Sequence, residues 1–189
     1  MKDNESSKRI YIIISQTGTV LSKLLRIVTK KDYNHASISL KDDLSLMYSF
    51  GRVNPYNPFI GGFVIESTDF GTFKRFYNTK VIVLALDVSE ELYQQMNDEL
   101  ETMYECKYTY GYNYLGIYLA ALKIKRQKKN CYYCSEFVRE FLIKYQIIGS
   151  QNFEGIVHPM DFMKIPDSVD LYSGKLIDFC NERKVEVGN

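Results

Sequence analysis

Residues 134–149, Cys134-Ser135-Glu136-Phe137-Val138-Arg139-Glu140-Phe141-Leu142-Ile143-Lys144-Tyr145-Gln146-Ile147-Ile148-Gly149, decide how the chain folds. Cys134, Phe137, Val138, Phe141, Leu142, Tyr145 and Ile148 recur at the spacing of one buried α-helical face, and Gly149 offers a stop. The cysteine therefore heads the buried stripe in the first turn. There, unpartnered backbone N–H groups and the helix dipole favour thiolate over thiol. The same N–H groups can hold an oxyanion. Taken alone, such a cysteine is more often a small core residue than a nucleophile.

Working outward, the period changes from helical to two. In His35-Ala36-Ser37-Ile38-Ser39-Leu40, residues Ala36, Ile38 and Leu40 point to one face and His35, Ser37 and Ser39 to the other. Lys41-Asp42-Asp43 reads as a three-residue turn and Leu44 to Phe50 as the returning strand. That turn pairs Leu40 with Leu44, and so Ala36 with Tyr48, Ile38 with Leu46 and His35 with Ser49. Ile10 to Ile14 is the expected first strand, followed by a helix carrying Leu21, Leu24, Leu25 and Val28. Residues 51–62, with two prolines and three glycines, read as a loop forming a groove wall or lid. Phe63 to Ser67 and Val81 to Leu86 are further strands, the second central. A helix starts around Asp87 to Glu91 with Leu92, Met96, Leu100 and Met103 buried. Another covers 112–125 through Leu115, Tyr118, Leu119 and Leu122, and the tail is irregular apart from a short helix near Ser173 to Cys180.

The chain has 189 residues, 46% hydrophobic and 25% charged, which suits one cored domain over residues 10–189 behind a flexible amino terminus at 1–9. A net charge of +1 gives no chain-wide reason to bind nucleic acid. Sixteen tyrosines, eleven phenylalanines and no tryptophan build the core from large rings. The start, MKDNESSKR, lacks the roughly 7 to 15 apolar residues of a secretory signal. No stretch approaches the roughly 20 needed to span a bilayer. A cytoplasmic location without stable membrane insertion is expected, with the four cysteines as thiols.

A helix-start cysteine needs a base, and His35 on the polar side of a strand supplies the other half of a thiol–imidazole pair. Ser49, across the hairpin, is the expected partner of the ring. Cys131-Tyr132-Tyr133-Cys134 raises redox and zinc readings. A helix and a basic run precede it where a thioredoxin-like site needs a strand, and Cys106, Cys180, His35 and His158 are scattered singly, so neither metal nor cofactor is expected. His158 is the rival base, but it lies only 24 positions after Cys134 and most of that interval is helix, so the chain would have to return the helix length to bring it back; with Pro159 and Phe162 it reads as an anchoring turn. Lys123, Lys125, Arg126, Lys128 and Lys129 read as a solvated helix end, and Glu136 as first-turn stabilisation.

Asn34 to Leu40, Cys134-Ser135-Glu136-Phe137-Val138 and Pro159-Met160-Asp161-Phe162 together resemble the circularly permuted papain-fold hydrolases of the YaeF/YiiX type, relatives of the NlpC peptidases. In that permuted group the histidine strand precedes the cysteine helix, as here. The resemblance implies an α+β fold in which an antiparallel sheet packs against the helix bearing the nucleophile. It implies Cys134 as nucleophile, His35 as general base and Ser49 at the position that orients the imidazole. Serine there is a departure, since it fixes the tautomer but cannot stabilise imidazolium as a carboxylate does; Glu66 or a main-chain carbonyl is the alternative. The implied activity is a cysteine hydrolase acting on an amide or ester of a peptide, cell-wall fragment or lipid, that is, on a peptide-like or acyl small molecule. An acyltransferase with the same pair, and a groove-binding domain without chemistry, are the alternatives.

Overall fold

Strand β1, Ser7–Gln16, carries an isoleucine run that is apolar on both sides: Ile10, Ile12 and Ile14 are buried on one face, Tyr11 and Ile13 on the other. A strand of that kind has to lie inside a sheet covered on both faces. The computed structural model describes residues 7–16, 32–54, 56–114, 116, 128–151, 153 and 155–187. In it β1 lies between β2, His35–Ser39, and β5, Lys80–Ser89. β3, Met47–Asn54, β4, Asn57–Glu66, and β8, Val169–Lys175, complete a six-stranded sheet in the order β4-β3-β2-β1-β5-β8, antiparallel throughout. Short strands β6, Gly111–Tyr112, and β7, Cys131–Tyr132, form a separate parallel pair. The fold is mixed α+β.

Helices cover both faces. Met96, Leu100 and Met103 of α2, Glu90–Glu105, and Phe137, Val138, Phe141 and Leu142 of α3, Cys134–Lys144, share a core with Ile12, Ala36, Ile38, Phe50 and Phe63. Phe73 of α1, Gly71–Arg75, and Leu176, Phe179 and Cys180 of α4, Leu176–Val187, pack on the other face with Tyr11, Ile13, Met47 and Val83. Ser89 caps α2 by accepting from the Leu92 N–H at 3.2 Å. No helix of the described residues is long and apolar enough to cross a membrane.

Several expectations are corrected. β1 begins at Ser7 rather than Ile10, because pairing continues through Arg9 opposite Asp87 and Ser7 opposite Ser89, with Arg9 bonded to Asp87 at 2.9 Å. The 51–62 stretch is not a loop but the body of a hairpin. β3 runs to Asn54, the Asn54 side chain accepts from the Tyr56 N–H at 2.8 Å, and Asn57 starts β4. Proline is tolerated in β4 because this is an edge strand. Gly61 answers to a close approach, since a Cβ there would stand 2.8 Å from Tyr112 and from the Tyr114 hydroxyl.

The β2–β3 register is also displaced by two residues: Ile38 pairs with Tyr48 and Ser39 with Met47. The connection over 40–46 is hydrogen-bonded within itself, the Ser39 hydroxyl donating to the Leu46 carbonyl at 2.7 Å, and it sends Leu44 into the core instead of into a strand. A shift of two keeps every side chain on its expected face. Helix α3 ends before Gly149. Gln146 takes the left-handed conformation, φ 56°, its N–H bonding the Ile143 carbonyl and that of Ile147 the Leu142 carbonyl, a Schellman ending without glycine. Ser173 belongs to β8, whose half-exposed edge position weakens its hydrophobic alternation, and the helix follows from Leu176. The expected helix through Leu21 to Val28, most of the one over 112–125, and the basic residues 123–127 lie outside the described residues.

Candidate active site

His35 heads β2 with its ring on the face opposite the α3 core, 6.3 Å from the Phe73 ring and edge-on to it. Its Nε2 stands 3.0 Å from both carboxylate oxygens of Glu66. Ser37, two residues along the same face, donates its hydroxyl to Glu66 Oε2 at 2.6 Å and lies 3.3 Å from Nε2. Glu66 ends β4, two strands from β2, a separation of roughly 9.5 Å. The side chains meet because the strand between them contributes Gly51. A Cβ at Gly51 would sit 3.5 Å from Glu66 Oε1 and 3.7 Å from His35 Cε1, so the imidazole and carboxylate close over a bare stretch of backbone.

Burial by itself pushes the imidazolium down. The charges of Glu66 and Cys134, with hydrogen bonds to both, outweigh it and raise His35 to about 10. With Nε2 turned to Glu66, Nδ1 is the ring nitrogen left for the Cys134 thiol, the second of the two groups that raise the ring. Its Sγ also faces the Asn34 carbonyl at 3.9 Å.

Cys134 is the first residue of α3, and distant segments fix that first turn. Ser135 donates to the Val157 carbonyl at 2.8 Å. Glu136 accepts from the Tyr133 N–H at 3.3 Å and from the Asn113 amide at 3.4 Å, the reach-back of a capping box. The thiol is only 5% exposed. Burial first, and then the neighbouring Cys134 charge, lifts Tyr112 well above the ordinary phenol range. Tyr133 is raised by burial, Glu136 and Cys134 in that order.

Cys134 and His35 are thus brought together, and Ser49 is not the partner of the ring. Its hydroxyl, fully buried, donates to the Ala36 carbonyl at 2.6 Å. The two-residue register shift explains this, since continuing it places Ser49 opposite Ser37 and Gly51 opposite His35. Glu66 takes the position. Sequence reasoning held Glu66 only as an alternative, because its approach to His35 depends on registers across three strands.

The chain does return along α3 after the helix, delivering Val157 to Ser135. His158 next to it begins the 3₁₀ turn Pro159–Lys164, its N–H donating to Asp161 Oδ2 at 2.8 Å. Cys131 lies in β7, with Sγ 2.9 Å from where a Cβ of Gly111 would be. Among the described residues no group of His, Cys, Asp and Glu is arranged to hold a metal ion.

A cleft of about 330 Å³ opens on the Glu66 side of the site, lined by Arg52, Glu66, Phe70, Thr72, Tyr104 and Lys107 among others. No protein-family model matches the chain, and no curated protein matches it.

Proposed function

We propose that the protein is a cysteine hydrolase of permuted papain-like, NlpC-type architecture, cleaving an amide or ester through an acyl-enzyme on Cys134. The observation that carries the reading is the imidazole of His35 held between the Cys134 thiol and the Glu66 carboxylate, at the first turn of a helix. In this reading the proton of the thiol passes to His35 Nδ1, and the Nε2–H bond to Glu66 fixes the tautomer and stabilises the imidazolium. The sulfur attacks the acyl carbon, and the first N–H groups of α3, which have no partners within the helix, receive the oxyanion. Imidazolium then protonates the leaving group. Water attacks the thioester with His35 as base, releasing the acid and restoring the thiol. An acceptor other than water makes the same site an acyltransferase.

The low exposure of Cys134 favours a second reading, a groove that binds acyl compounds without turnover. Alkylation by iodoacetamide, followed at each cysteine by peptide mass spectrometry, separates the two. The hydrolase reading expects Cys134 to react faster than the exposed Cys106, and His35→Ala to slow it by roughly 100-fold or more. A Cys134 slower than Cys106 and indifferent to His35→Ala rejects the enzyme.

A further inference from the structure

The two edges of the six-stranded sheet are not guarded alike. β8 carries exposed charges at Asp170 and Lys175 and meets β5 through a register shift between Val83 and Leu84, features that keep another strand from pairing there. On β4 the segment 110–112 crosses the edge: a Cβ at Gly61 would stand 2.8 Å from Tyr112, and one at Gly62, on the other face, 3.4 Å from the Tyr110 carbonyl. Residues 63–66 have no such cover. They pair with β3 on one side, and on the other no described residue hydrogen-bonds their main chain. In an antiparallel ladder alternate residues turn N–H and C=O outward, so about 13 Å of strand presents unused donors and acceptors.

The 330 Å³ cleft runs along this stretch, with Phe63, Val64, Ile65 and Glu66 all lining it. Its walls rise on the two faces of the sheet, Tyr104 and Lys107 from the end of α2 on the α3 side, Phe70 and Thr72 from the start of α1 on the other. Phe70 is 47% and Tyr104 36% exposed, large rings left open at the rim. A recess of this kind shuts out the flat edge of a folded sheet and admits one extended segment, whose side chains alternately meet Ile65 with Tyr104 and Val64 with Phe70. Lys107, its Nζ 3.8 Å over the Tyr104 ring, pairs with no carboxylate among the described residues, and Glu66 is engaged by His35 and Ser37. The Tyr104 wall therefore complements an acidic side chain.

We propose that the cleft is a strand-addition site: an extended segment of a partner protein, apolar at alternate positions and carrying a carboxylate toward Lys107, joins residues 63–66 as a seventh strand. The site needs neither Cys134 nor His35 and stands apart from the hydrolase reading. It is tested on the full chain with an array of capped peptides about eight residues long, alternating valine and threonine with one glutamate moved through every position. The best binder is remade with N-methyl groups on alternate amides, in each of the two registers, which keeps the side chains and removes main-chain donors. Methylation in one register is expected to weaken binding by about tenfold or more while the other register is tolerated. Amide exchange should slow within residues 63–66 on binding, and Lys107→Gln, a change outside the core, should remove the preference for glutamate. Binding by no member of the array, equal response to methylation in both registers, or exchange protection only elsewhere overturns the site. A dimer in sedimentation that protects the same amides without peptide gives the edge to a second copy and overturns the partner assignment.

Discussion

On one face of β2, β3 and β4 stand Ala36, Ile38, Phe50 and Phe63, packed beneath α3; at alternate positions of the same strands, on the other face, stand His35, Ser37, Ser49 and Glu66. The first face is held by ring contacts, with Phe50 centred 5.3 Å from Phe137 and 5.4 Å from Phe63. The second is nearly as dry, yet it sets a buried carboxylate against a partly buried imidazole, each bonded to the other and to a serine. An apolar pair in that place would cost the fold less, since burying charge sacrifices hydration that pairing only partly returns. The apolar face serves stability, and the polar face accepts an energetic cost for a defined chemical arrangement.

Substitutions can break this contrast. Phe137→Ala should be the most damaging, lowering unfolding free energy in urea by about 3–5 kcal/mol through lost burial and a cavity, while surviving folded protein keeps the His35 dependence of thiol reactivity. If instead the loss is under about 1 kcal/mol, the aromatic cluster is not the main support of that face. Glu66→Gln should cost less, about 2 kcal/mol, but with a pH signature. His35 is raised to about 10 in the fold from an ordinary 6.5. Folded protein therefore keeps a proton that the unfolded chain releases, and the stabilisation is full below 6.5 and lost as pH rises through 10. The gap between wild type and Glu66→Gln should shrink across that window; a gap independent of pH would show that the pair is not ionic. Ser49→Ala should be mildest, about 1 kcal/mol for the bond to the Ala36 carbonyl, with thiol reactivity unaltered. A drop comparable to that of His35→Ala would return Ser49 to the site.

The parts legible in the sequence are those with a strong local period. The stripe from Phe137 to Leu142 and the alternation from His35 to Ser39 put Cys134 and His35 on the elements and faces where the structure has them, and the isoleucine run marks a strand. Glycine and proline between 51 and 62 suggested a loop because their local preferences say nothing about an edge strand or a tyrosine pressing on Gly61. Turn length alone points to Ser49 rather than Glu66, because it cannot reveal that Leu44 leaves the strand for the core. Helix α3 ends short of Gly149 because a Schellman turn forms at Gln146, a residue with no helix-ending preference for a local reading to find.

The bare backbone at Gly51 also bears on the order of assembly. His35 and Glu66 are 31 residues apart and come together within one meander of adjacent strands, whereas Asn34 and Cys134 are separated by 100. Contacts of short separation close first, and during synthesis the amino-terminal strands leave the ribosome ahead of the helix. In the hydrolase reading, the imidazole–carboxylate pair is thus seated before the thiol arrives, and Cys134 meets its proposed base only where the sheet already confines it.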